Sequence, residues 1–410
     1  MALNKQNKHK VVIVGGGFGG IKAALHLAED HRFEITLISD HPDFRIYGQL
    51  YHLATGGARR TSSIPLSEIF ADTKVHVVID RVTGLDRKDK AVTTEGKMSF
   101  PYQALVLALG VQTNYFGIEG LKEFSYGIKT PDEAEELKAH LHKQLIDEGR
   151  IDLSYVVVGG GPTGLELAGA LPSYIRKIAK QHGLKPPHKV HIDLVEAAPH
   201  LIPRMPKDMS LVVQRHMRKI GIKLHLGKAV QAQTADALTV SGKPIRSHTV
   251  IWTAGVTNNP FFSEQNFQLA ANHKVRVDDF LQAEPGIYVI GDNADTAYSG
   301  LAQVAITDAK FVAKNMIRLA DSKDAKPYKS PKPIYVLPAG PRWSAALWGN
   351  VRIYGYVAFL LRRAADYIAY HDYEPWKMAL SRWAAEYDEE DNCPTCDPAI
   401  AKVKYESGEV

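Results

Sequence analysis

Two glycine-rich runs in the chain have the spacing of a phosphate-binding turn. The first reads VVIVGGGFGG over residues 11–20 and the second reads VVVGGGPTGL over residues 156–165. In each run, an apolar stretch precedes a G-x-G-x-x-G pattern, and an Ala/Leu-rich helical pattern follows it. The three glycines permit a tight turn, a close approach of the backbone to a pyrophosphate, and close packing of helix on strand. Because the helix start also presents free N–H groups, the pair predicts two dinucleotide sites.

Acidic residues near the ends of the next strands should select the nucleotides. The run HIDLVE ends in Glu196, where a carboxylate accepts hydrogen bonds from a ribose 2′-hydroxyl and repels a 2′-phosphate. The second site is therefore expected to prefer NADH to NADPH. In the first unit, the run FEITLISD has Ser39 at the strand end and Asp40 one residue later. We expect Asp40 to turn towards the ribose, with a weaker contact from Ser39 as the alternative.

A further polar group follows the strand-like run GIYVIGD, which ends in Gly291 and Asp292. The next segment, GLAQVAITDAK, has the pattern of a helix start. Gln303 and Thr307 are four residues apart and should therefore share one face of that helix. Both side chains can form hydrogen bonds with a polar ligand.

The glycine-rich units are parts of a longer internal repeat. LVLALG (Leu105–Gly110) follows the first run, and VIWTAG (Val250–Gly255) follows the second at nearly the same distance. Two copies of one α/β nucleotide-binding unit explain both matches. The run GIYVIGD belongs to neither copy, which predicts that the chain returns to its first domain. We expect an α/β fold with two Rossmann-like dinucleotide-binding domains, the second inserted in the first, and a helical, aromatic-rich C-terminal region.

Composition excludes several classes of protein. The formal net charge of +5 is mild for 410 residues and does not predict nucleic-acid binding. The chain has two cysteines, Cys393 and Cys396, which argues against a disulfide-stapled secreted protein. The N-terminus lacks an apolar signal core, and no apolar run is long enough to predict a transmembrane helix. A cytoplasmic protein is expected, with peripheral attachment to the cytoplasmic face of the cell membrane as a further expectation.

Taken together, the motifs resemble the type II NADH dehydrogenases, the single-subunit NADH:quinone oxidoreductases of the two-dinucleotide flavoprotein superfamily. The resemblance covers roughly residues 10–320 and includes VVVGGGPTGLELAGAL, IWTAGV, YVIGDNAD, AQVAI, YHLATG and NYFGI. It implies FAD in the first unit and NADH in the second. The implied activity is oxidation of NADH with two-electron reduction of a membrane quinone, menaquinone or ubiquinone, without proton pumping.

The resemblance also implies roles for individual residues. Asp292 is expected to hold the ribityl chain of the flavin, and the helix start at residues 301–303 to face the end of the ring where negative charge develops. Glu166 is expected near nicotinamide and flavin, where it tunes the site or relays a proton; a carboxylate merely stabilised by the helix dipole is the alternative. The family has a second glutamine where this chain has Thr307, so one quinone contact should differ.

The complete set of expected site residues follows from the motifs and the resemblance. Expected catalytic residues are Glu166, Gln303 and Thr307. Expected FAD-binding residues are Gly15, Gly17, Phe18, Gly19, Gly20, Ser39, Asp40, Val82, Gly110, Gly291, Asp292, Ala302 and Gln303. Expected NADH-binding residues are Gly159, Gly161, Pro162, Thr163, Gly164, Glu196, Ala254 and Gly255. No metal is required.

These assignments divide the chain into domains. Residues 1–118 and 281–325 are expected to form the FAD domain and residues 119–280 the NADH domain. KDAKPYKSPKP (Lys323–Pro333) has the composition of a linker. Residues 334–410 are expected to form a membrane-anchoring or dimerisation region.

Cysteine chemistry beside the flavin is excluded, because residues 1–392 contain no cysteine. Disulfide reductases, sulfide:quinone reductases and flavocytochrome-type sulfide dehydrogenases all need such thiols. Two alternatives to quinone reduction stay open: reduction of a small electron-transfer protein, and redox sensing by a slow-turnover FAD–NADH complex.

The C-terminal region is rich in aromatic and basic residues. Four of the five tryptophans lie between Trp343 and Trp383, interleaved with tyrosines and arginines. This composition suits a membrane-surface segment, and equally a packed cap or the interface of a homodimer. One of Arg362 and Arg363 is expected to reach the quinone. The CPTC pair of Cys393 and Cys396 permits a metal site shared between two chains, a reversible disulfide, or two free thiols.

Overall fold

The computed structural model describes residues 8–146, 154–184 and 190–387. Cys393 and Cys396 lie outside this range. Residues 8–113 contain ten strands and three α-helices. In chain order these are β1 (His9–Val14), α1 (Phe18–Ala28), β2 (Phe33–Ser39), β3 (Asp43–Arg45), α2 (Leu50–Ala54), β4 (Ser63–Pro65), α3 (Leu66–Ile69), β5 (His76–Ile79), β6 (Val82–Asp86), β7 (Ala91–Thr94), β8 (Ser99–Pro101), β9 (Ala104–Leu107) and β10 (Val111–Thr113).

The middle part of the chain carries the second glycine-rich run. In chain order its elements are α4 (Leu121–Phe124), α5 (Pro131–Ile146), β11 (Tyr155–Val158), α6 (Pro162–Gln181), β12 (Ile192–Glu196), α7 (Lys207–Lys219), β13 (Lys223–Leu226), β14 (Val230–Gln233), β15 (Ala237–Val240), β16 (Lys243–Arg246), β17 (Thr249–Trp252), β18 (Val256–Asn258) and α8 (Phe261–Glu264).

The last described part contains five strands and three α-helices: β19 (Gln282–Glu284), β20 (Ile287–Val289), α9 (Ala302–Ala320), β21 (Tyr335–Pro338), β22 (Ser344–Trp348), β23 (Val351–Gly355), α10 (Tyr356–His371) and α11 (Trp376–Ala384). Short 3₁₀ helices lie at Tyr47–Gln49, Arg59–Thr61, Gly291–Asn293 and Ala385–Tyr387.

Two sheets that share a four-strand parallel order, β9-β1-β2-β5 in the first and β17-β11-β12-β13 in the second, confirm the internal repeat. The first sheet has the order β19-β20-β9-β1-β2-β5, and the second has β13-β12-β11-β17. In the first sheet, β1, which precedes the glycines, lies between β2 and β9. In the second sheet, β11 lies in the same way between β12 and β17. Their apolar runs are buried on both faces, as expected for parallel strands covered by helices. The α/β fold with two Rossmann-type domains is therefore correct.

The strand predicted to return to the first domain does so. In β20, Ile287 pairs in parallel with Leu105 of β9, which places the following Gly-Asp at the same sheet edge as the first glycine-rich turn. Helix α9 then packs on α1 in one apolar cluster that includes Leu27 and Val312. The exact domain limits stay predictions, although Phe262 already packs in the cluster that contains Val12 of β1.

The C-terminal region is less purely helical than its composition indicates. The predicted aromatic helices exist as α10 and α11, but an antiparallel sheet of β21, β22 and β23 precedes them. The sheet packs on the second domain: Leu337 and Ala345 share a cluster with Leu171 of α6. Tyr370 of α10, Ala379 of α11 and Tyr373 between the two helices instead pack in the core of the first domain. The region thus joins the two nucleotide-binding domains.

None of the helices within the described ranges combines the length and apolar character needed to cross a bilayer. The predicted linker is extended between α9 and β21 and is fixed to α9, since Lys326 exchanges two hydrogen bonds with the Asn315 side chain at 2.8 and 3.0 Å.

Arg382 of α11 pairs with a buried carboxylate of the C-terminal region and also holds α11 against the first domain. The Arg382 guanidinium donates to both carboxylate oxygens of Glu374 at 2.9 and 2.6 Å, and to the carbonyl oxygen of Ser63 at 3.3 Å. The Glu374 side chain is only 2 % exposed, so its charge depends on this partner.

Substitution of Arg382 by Met is expected to destabilise the protein by about 3 kcal/mol, because it leaves the Glu374 charge buried without its main partner. Thermal unfolding should show a melting temperature several degrees below that of the wild type. Arg352→Met is the matched control, since Arg352 pairs with Asp208 at the surface and should change little. Equal melting temperatures for the two variants would contradict the proposed role of the buried pair.

Candidate functional site

The two glycine-rich turns have the same backbone geometry. Gly15 and Gly159 lie at φ of 115° and 118°, a conformation that favours glycine. Each donates its N–H to the strand that follows in its own repeat, at 2.8 Å to Ile38 in the first unit and 2.8 Å to Val195 in the second. The turns therefore direct the chain from the strand into the helix in the same way.

The other glycines of each run differ in what surrounds them. A Cβ at Gly20 or Gly164 would collide with the carbonyl oxygen of Gly15 or Gly159, so these positions allow helix and strand to approach closely. A Cβ at Gly17 or Gly161 would meet no heavy atom within 4 Å. The middle glycines thus border open space at the helix N-termini, where a phosphate can approach.

Glu196 lies at the end of β12 beside the second turn. Its carboxylate accepts the N–H of Gly160 at 2.6 Å and that of Ala198 at 2.7 Å. This is the strand-end position from which a ribose is contacted in dinucleotide-binding folds.

In the first unit, Ser39 occupies the place that corresponds to Glu196. It ends β2, is buried, and lies where a Cβ on Gly16 would contact it. The Ser39 hydroxyl donates to the His41 carbonyl at 2.7 Å. Asp40 is half-exposed and pairs with the His41 ring at 2.5 Å, which lowers the pKa of its carboxyl. The ribose contact of Asp40 stays a prediction.

The loop after β20 is fixed from two sides. The N–H of Gly291 donates to Asp308 of α9 at 2.9 Å, and the Ser299 hydroxyl donates to the Gly291 carbonyl at 2.9 Å. Asn293 exchanges hydrogen bonds with the backbone of Gly110 after β9, at 2.9 and 2.7 Å. Gly291 and Gly110 are residues predicted at this site from the motifs and the resemblance, whereas the side chains that hold them, those of Asn293, Ser299 and Asp308, were not predicted.

Asp308 is a buried carboxyl behind this loop. Besides the Gly291 N–H it accepts a hydrogen bond from the Tyr328 hydroxyl of the linker. Burial raises the pKa of Asp308 to about 6. Its position couples the linker to the loop that carries Asp292.

Asp292 makes no hydrogen bond to another residue within the described ranges. Its carboxylate lies close enough to Lys129, Lys274 and Tyr47 for its negative charge to raise the pKa of each of these groups. Gly17 and the left-handed Gly110 both border open space, since a Cβ at either position would meet no heavy atom within 4 Å. Together with the available Asp292 carboxylate, this arrangement fits a ligand with both phosphates and hydroxyl groups. FAD is such a ligand.

Glu166 lines a cavity of about 380 Å³ between α2, α6, α10 and the turn after β21. It is buried and forms an ion pair with Arg362 of α10 at 2.9 Å. Burial raises the pKa of Glu166 to about 7, although the Arg362 guanidinium acts in the opposite direction. A carboxyl of this kind can hold or release a proton near neutral pH.

Arg362 also contacts two further parts of the molecule. Its guanidinium donates to Asp366 at 2.8 Å and to the carbonyl oxygen of Gly48 at 3.2 Å. Arg363 lines another part of the same cavity, where it pairs with Glu386. Its guanidinium carbon lies 4.2 Å from the centroid of the Trp383 ring. Of the two arginines considered from the sequence, Arg362 is the one that contacts Glu166.

The three predicted catalytic residues do not line one cavity. Gln303 and Thr307 share a helix face as expected, but neither lines the cavity of Glu166. The Gln303 side chain accepts the N–H of Ile334 at 3.1 Å, and the Thr307 hydroxyl donates to the Gln303 carbonyl at 2.8 Å. The donor of Thr307 is therefore used within its own helix.

The remaining predicted cofactor residues lie in segments that follow the parallel strands along the chain. Phe18 and Gly19 start α1, Pro162 and Thr163 start α6, and Ala302 starts α9. Ala254 and Gly255 follow β17, and Val82 starts β6. Their contacts with a cofactor stay predictions.

Comparison with known proteins decides the family. The family model described as pyridine nucleotide-disulphide oxidoreductase matches residues 9–309. A type II NADH:quinone oxidoreductase from Mycobacterium tuberculosis, Ndh, is 30% identical over 86% of this chain and 82% of its own length. A second one from that organism, NdhA, is 28% identical over 93% of this chain and 87% of its own length. The chain belongs to the type II NADH:quinone oxidoreductases.

Solved structures show the same fold. NDH2 from Plasmodium falciparum in complex with NADH superposes with a TM-score of 0.83 at 16% identity, over 93% of this chain and 97% of the other. The sulfide:quinone oxidoreductase from Aquifex aeolicus superposes with a TM-score of 0.74 at 20% identity, over 98% and 96%. The cysteine-free residues 1–392 of this chain exclude the thiol chemistry of a sulfide reductase.

This type II NADH:quinone oxidoreductase is thus a flavoprotein that uses FAD and NADH and has a quinone as its acceptor, which agrees with the function expected from the sequence. The reductase and sensor alternatives are not favoured.

Two glycines of the second turn should respond differently to alanine substitution. Gly161→Ala adds a methyl group where phosphates approach, so the KM for NADH should rise roughly tenfold while the melting temperature stays unchanged. Gly164→Ala collides with the Gly159 carbonyl and should lower the melting temperature. Steady-state kinetics and thermal unfolding measure the two effects. A wild-type KM in the Gly161 variant would argue against phosphate binding at this turn.

Proposed function

We propose that NADH binds at the second glycine-rich turn with its ribose on Glu196, that FAD binds at the first with its ribityl chain on Asp292, and that the quinone enters the cavity of Glu166 and Arg362. The proposal is supported mainly by this cavity, where a buried acid meets a partly buried guanidinium between the two nucleotide-binding domains and α10. Menaquinone and ubiquinone both fit the proposal.

Bound FAD would supply the redox chemistry, which is hydride acceptance from NADH and transfer of two electrons to the quinone. The protein positions the partners. The backbone N–H groups at the starts of α1 and α6 hold phosphates, and Glu196 favours NADH by its charge. The positive end of α9 at Ala302 and Gln303 favours negative charge on the ring.

Reduction of a quinone to a quinol requires protons as well as electrons. Glu166 can hold a proton on its carboxyl oxygen at neutral pH because burial favours its uncharged form. The Arg362 guanidinium donates hydrogen bonds and stabilises negative charge on a quinone oxygen. When Glu166 gives up its proton, the resulting carboxylate stays paired with Arg362.

The pH dependence of the second half-reaction tests this role. With the pKa of Glu166 raised to about 7, its protonated fraction is high below pH 7 and falls about tenfold per unit above it. Anaerobic stopped-flow should therefore show flavin reoxidation by a soluble menaquinone or ubiquinone analogue slowing above pH 7. Reduction by NADH should be fast, and reduction by NADPH slow.

Glu166→Gln is the diagnostic variant, since glutamine keeps the shape and cannot titrate. It should reoxidise slowly and without the inflection near pH 7, while reduction by NADH stays fast. An unchanged inflection in this variant would remove Glu166 from the proton step. Failure of every quinone to reoxidise the wild type would overturn the acceptor.

We propose further that α10 and α11 rest on the cytoplasmic face of the cell membrane. The side of α10 opposite Arg362 exposes Tyr356, Val357, Leu360 and Ile368, and Trp376 of α11 is exposed next to it. Apolar and aromatic side chains of this kind insert at the depth of lipid headgroups. An apolar quinone would then reach the cavity from the lipid. A homodimer that covers the same face is the second candidate.

Leu360→Glu separates these two readings. We expect it to reduce co-sedimentation with vesicles that contain anionic phospholipid, without changing the mass measured by light scattering. Leu319→Glu is a matched control, because Leu319 is 51% exposed and Leu360 49%, yet Leu319 lies at the end of α9. If Leu360→Glu instead converts a dimer to a monomer and leaves vesicle binding unchanged, this face is the homodimer interface.

A further inference from the structure

Lys129 lies in the cleft between the two nucleotide-binding domains, at a position that the motifs did not indicate. The segment before it is anchored to the second sheet, where Tyr126 donates to the Val250 carbonyl and accepts the N–H of Trp252, both at 2.8 Å. Immediately after it, Thr130 and Glu133 form a reciprocal capping box at the start of α5. The backbone that carries Lys129 is therefore fixed at both ends.

The side chain of Lys129 crosses from the second domain to the first. Its ammonium lies 4.3 Å from the ring centroid of Tyr47, which precedes α2. It also lies in the field of Asp292, the carboxylate that is expected to hold the flavin. One cation thus faces the cleft at the loop where the cofactor site was proposed.

The surroundings of Lys129 indicate that the charge of its ammonium has a function. Burial lowers the pKa of its ammonium, whereas Asp292 and Glu133 act to keep it charged. An ammonium removed from water interacts strongly with a charge that develops nearby, since it needs no solvent reorganisation. Lys274, the other lysine near Asp292, differs because its ammonium donates to the Ser299 hydroxyl at 2.6 Å.

We propose that the Lys129 ammonium is an electrostatic partner of the bound flavin, which stabilises the negative charge that the ring system gains on reduction. This inference rests on the FAD site proposed above. The α9 dipole acts on the flavin from the first domain, and Lys129 acts on it from the second. Together they set the driving force for oxidation of NADH. The Tyr47 ring holds the ammonium in the cleft by a cation–π contact.

The test is an anaerobic redox titration of the purified holoenzyme with a reference dye and no quinone. In Lys129→Gln, the ratio of the affinity for reduced FAD to the affinity for oxidised FAD should fall tenfold or more. Each tenfold fall in this ratio lowers the midpoint potential of the flavin by about 30 mV. Lys129→Arg should keep most of the wild-type potential. Lys122→Gln, which removes an exposed lysine from α4 in the same segment, should leave it unchanged.

Thermal unfolding and binding of oxidised FAD accompany the titration. If the Lys129→Gln enzyme keeps the wild-type midpoint potential and has only a lower melting temperature, Lys129 serves as a contact between the domains. That result would overturn the inference. If Lys129→Gln loses flavin on purification, the titration is made with excess FAD, and the same comparison of potentials decides. Because no quinone is present, the result is independent of the proposed acceptor site; a wild-type chain that binds no FAD would instead overturn the cofactor site itself.

Discussion

One guanidinium, largely removed from water, joins the three parts of this enzyme. Arg362 extends from the C-terminal helix, meets Glu166 of the second nucleotide-binding domain, and donates to the Gly48 carbonyl of the first. A charge removed from water must be fully paired to be tolerated, so this contact requires all three parts to be in register. The same requirement shapes the cavity, whose walls are the elements that Arg362 connects. Because these elements enclose the cavity, Glu166 is buried, and burial raises the pKa of its carboxyl to about 7.

The parts of the fold that depend on local patterns could be predicted from the sequence. The glycine spacing, the apolar runs before it and the later strands of the repeat are short-range signals, and they gave both sheets and the return of Ile287–Val289 to the first. Glu196 was located because a strand end is visible in the sequence. Gln303 and Thr307 share a face, as their spacing requires, but the sequence could not show that the Thr307 hydroxyl would bond within its own helix.

The contacts that complete the site are long-range, and no spacing rule predicts them. Glu166 and Arg362 belong to different domains, as do Lys129 and Tyr47. Asn293 on Gly110 and Asp308 on Gly291 likewise join segments that are far apart in the chain or that meet only after packing. One local signal was present and unused: the TPDE capping box marks a fixed helix start directly after Lys129. The β21–β23 sheet was missed because its aromatic composition dominated the interpretation of that region.

The closing strand of the first sheet has a consequence for the order of assembly during synthesis. The Ile287–Val289 strand pairs with Ala104–Leu107, so the ribosome must release the entire second domain before the first sheet can be completed. The Tyr373 hydroxyl, which donates to the Phe18 carbonyl at 3.0 Å, arrives later still. Until then, the apolar β9 edge of the nascent first domain stays uncovered and prone to aggregation. Overproduction of this enzyme should therefore depend on chaperones that shield the early half of the chain.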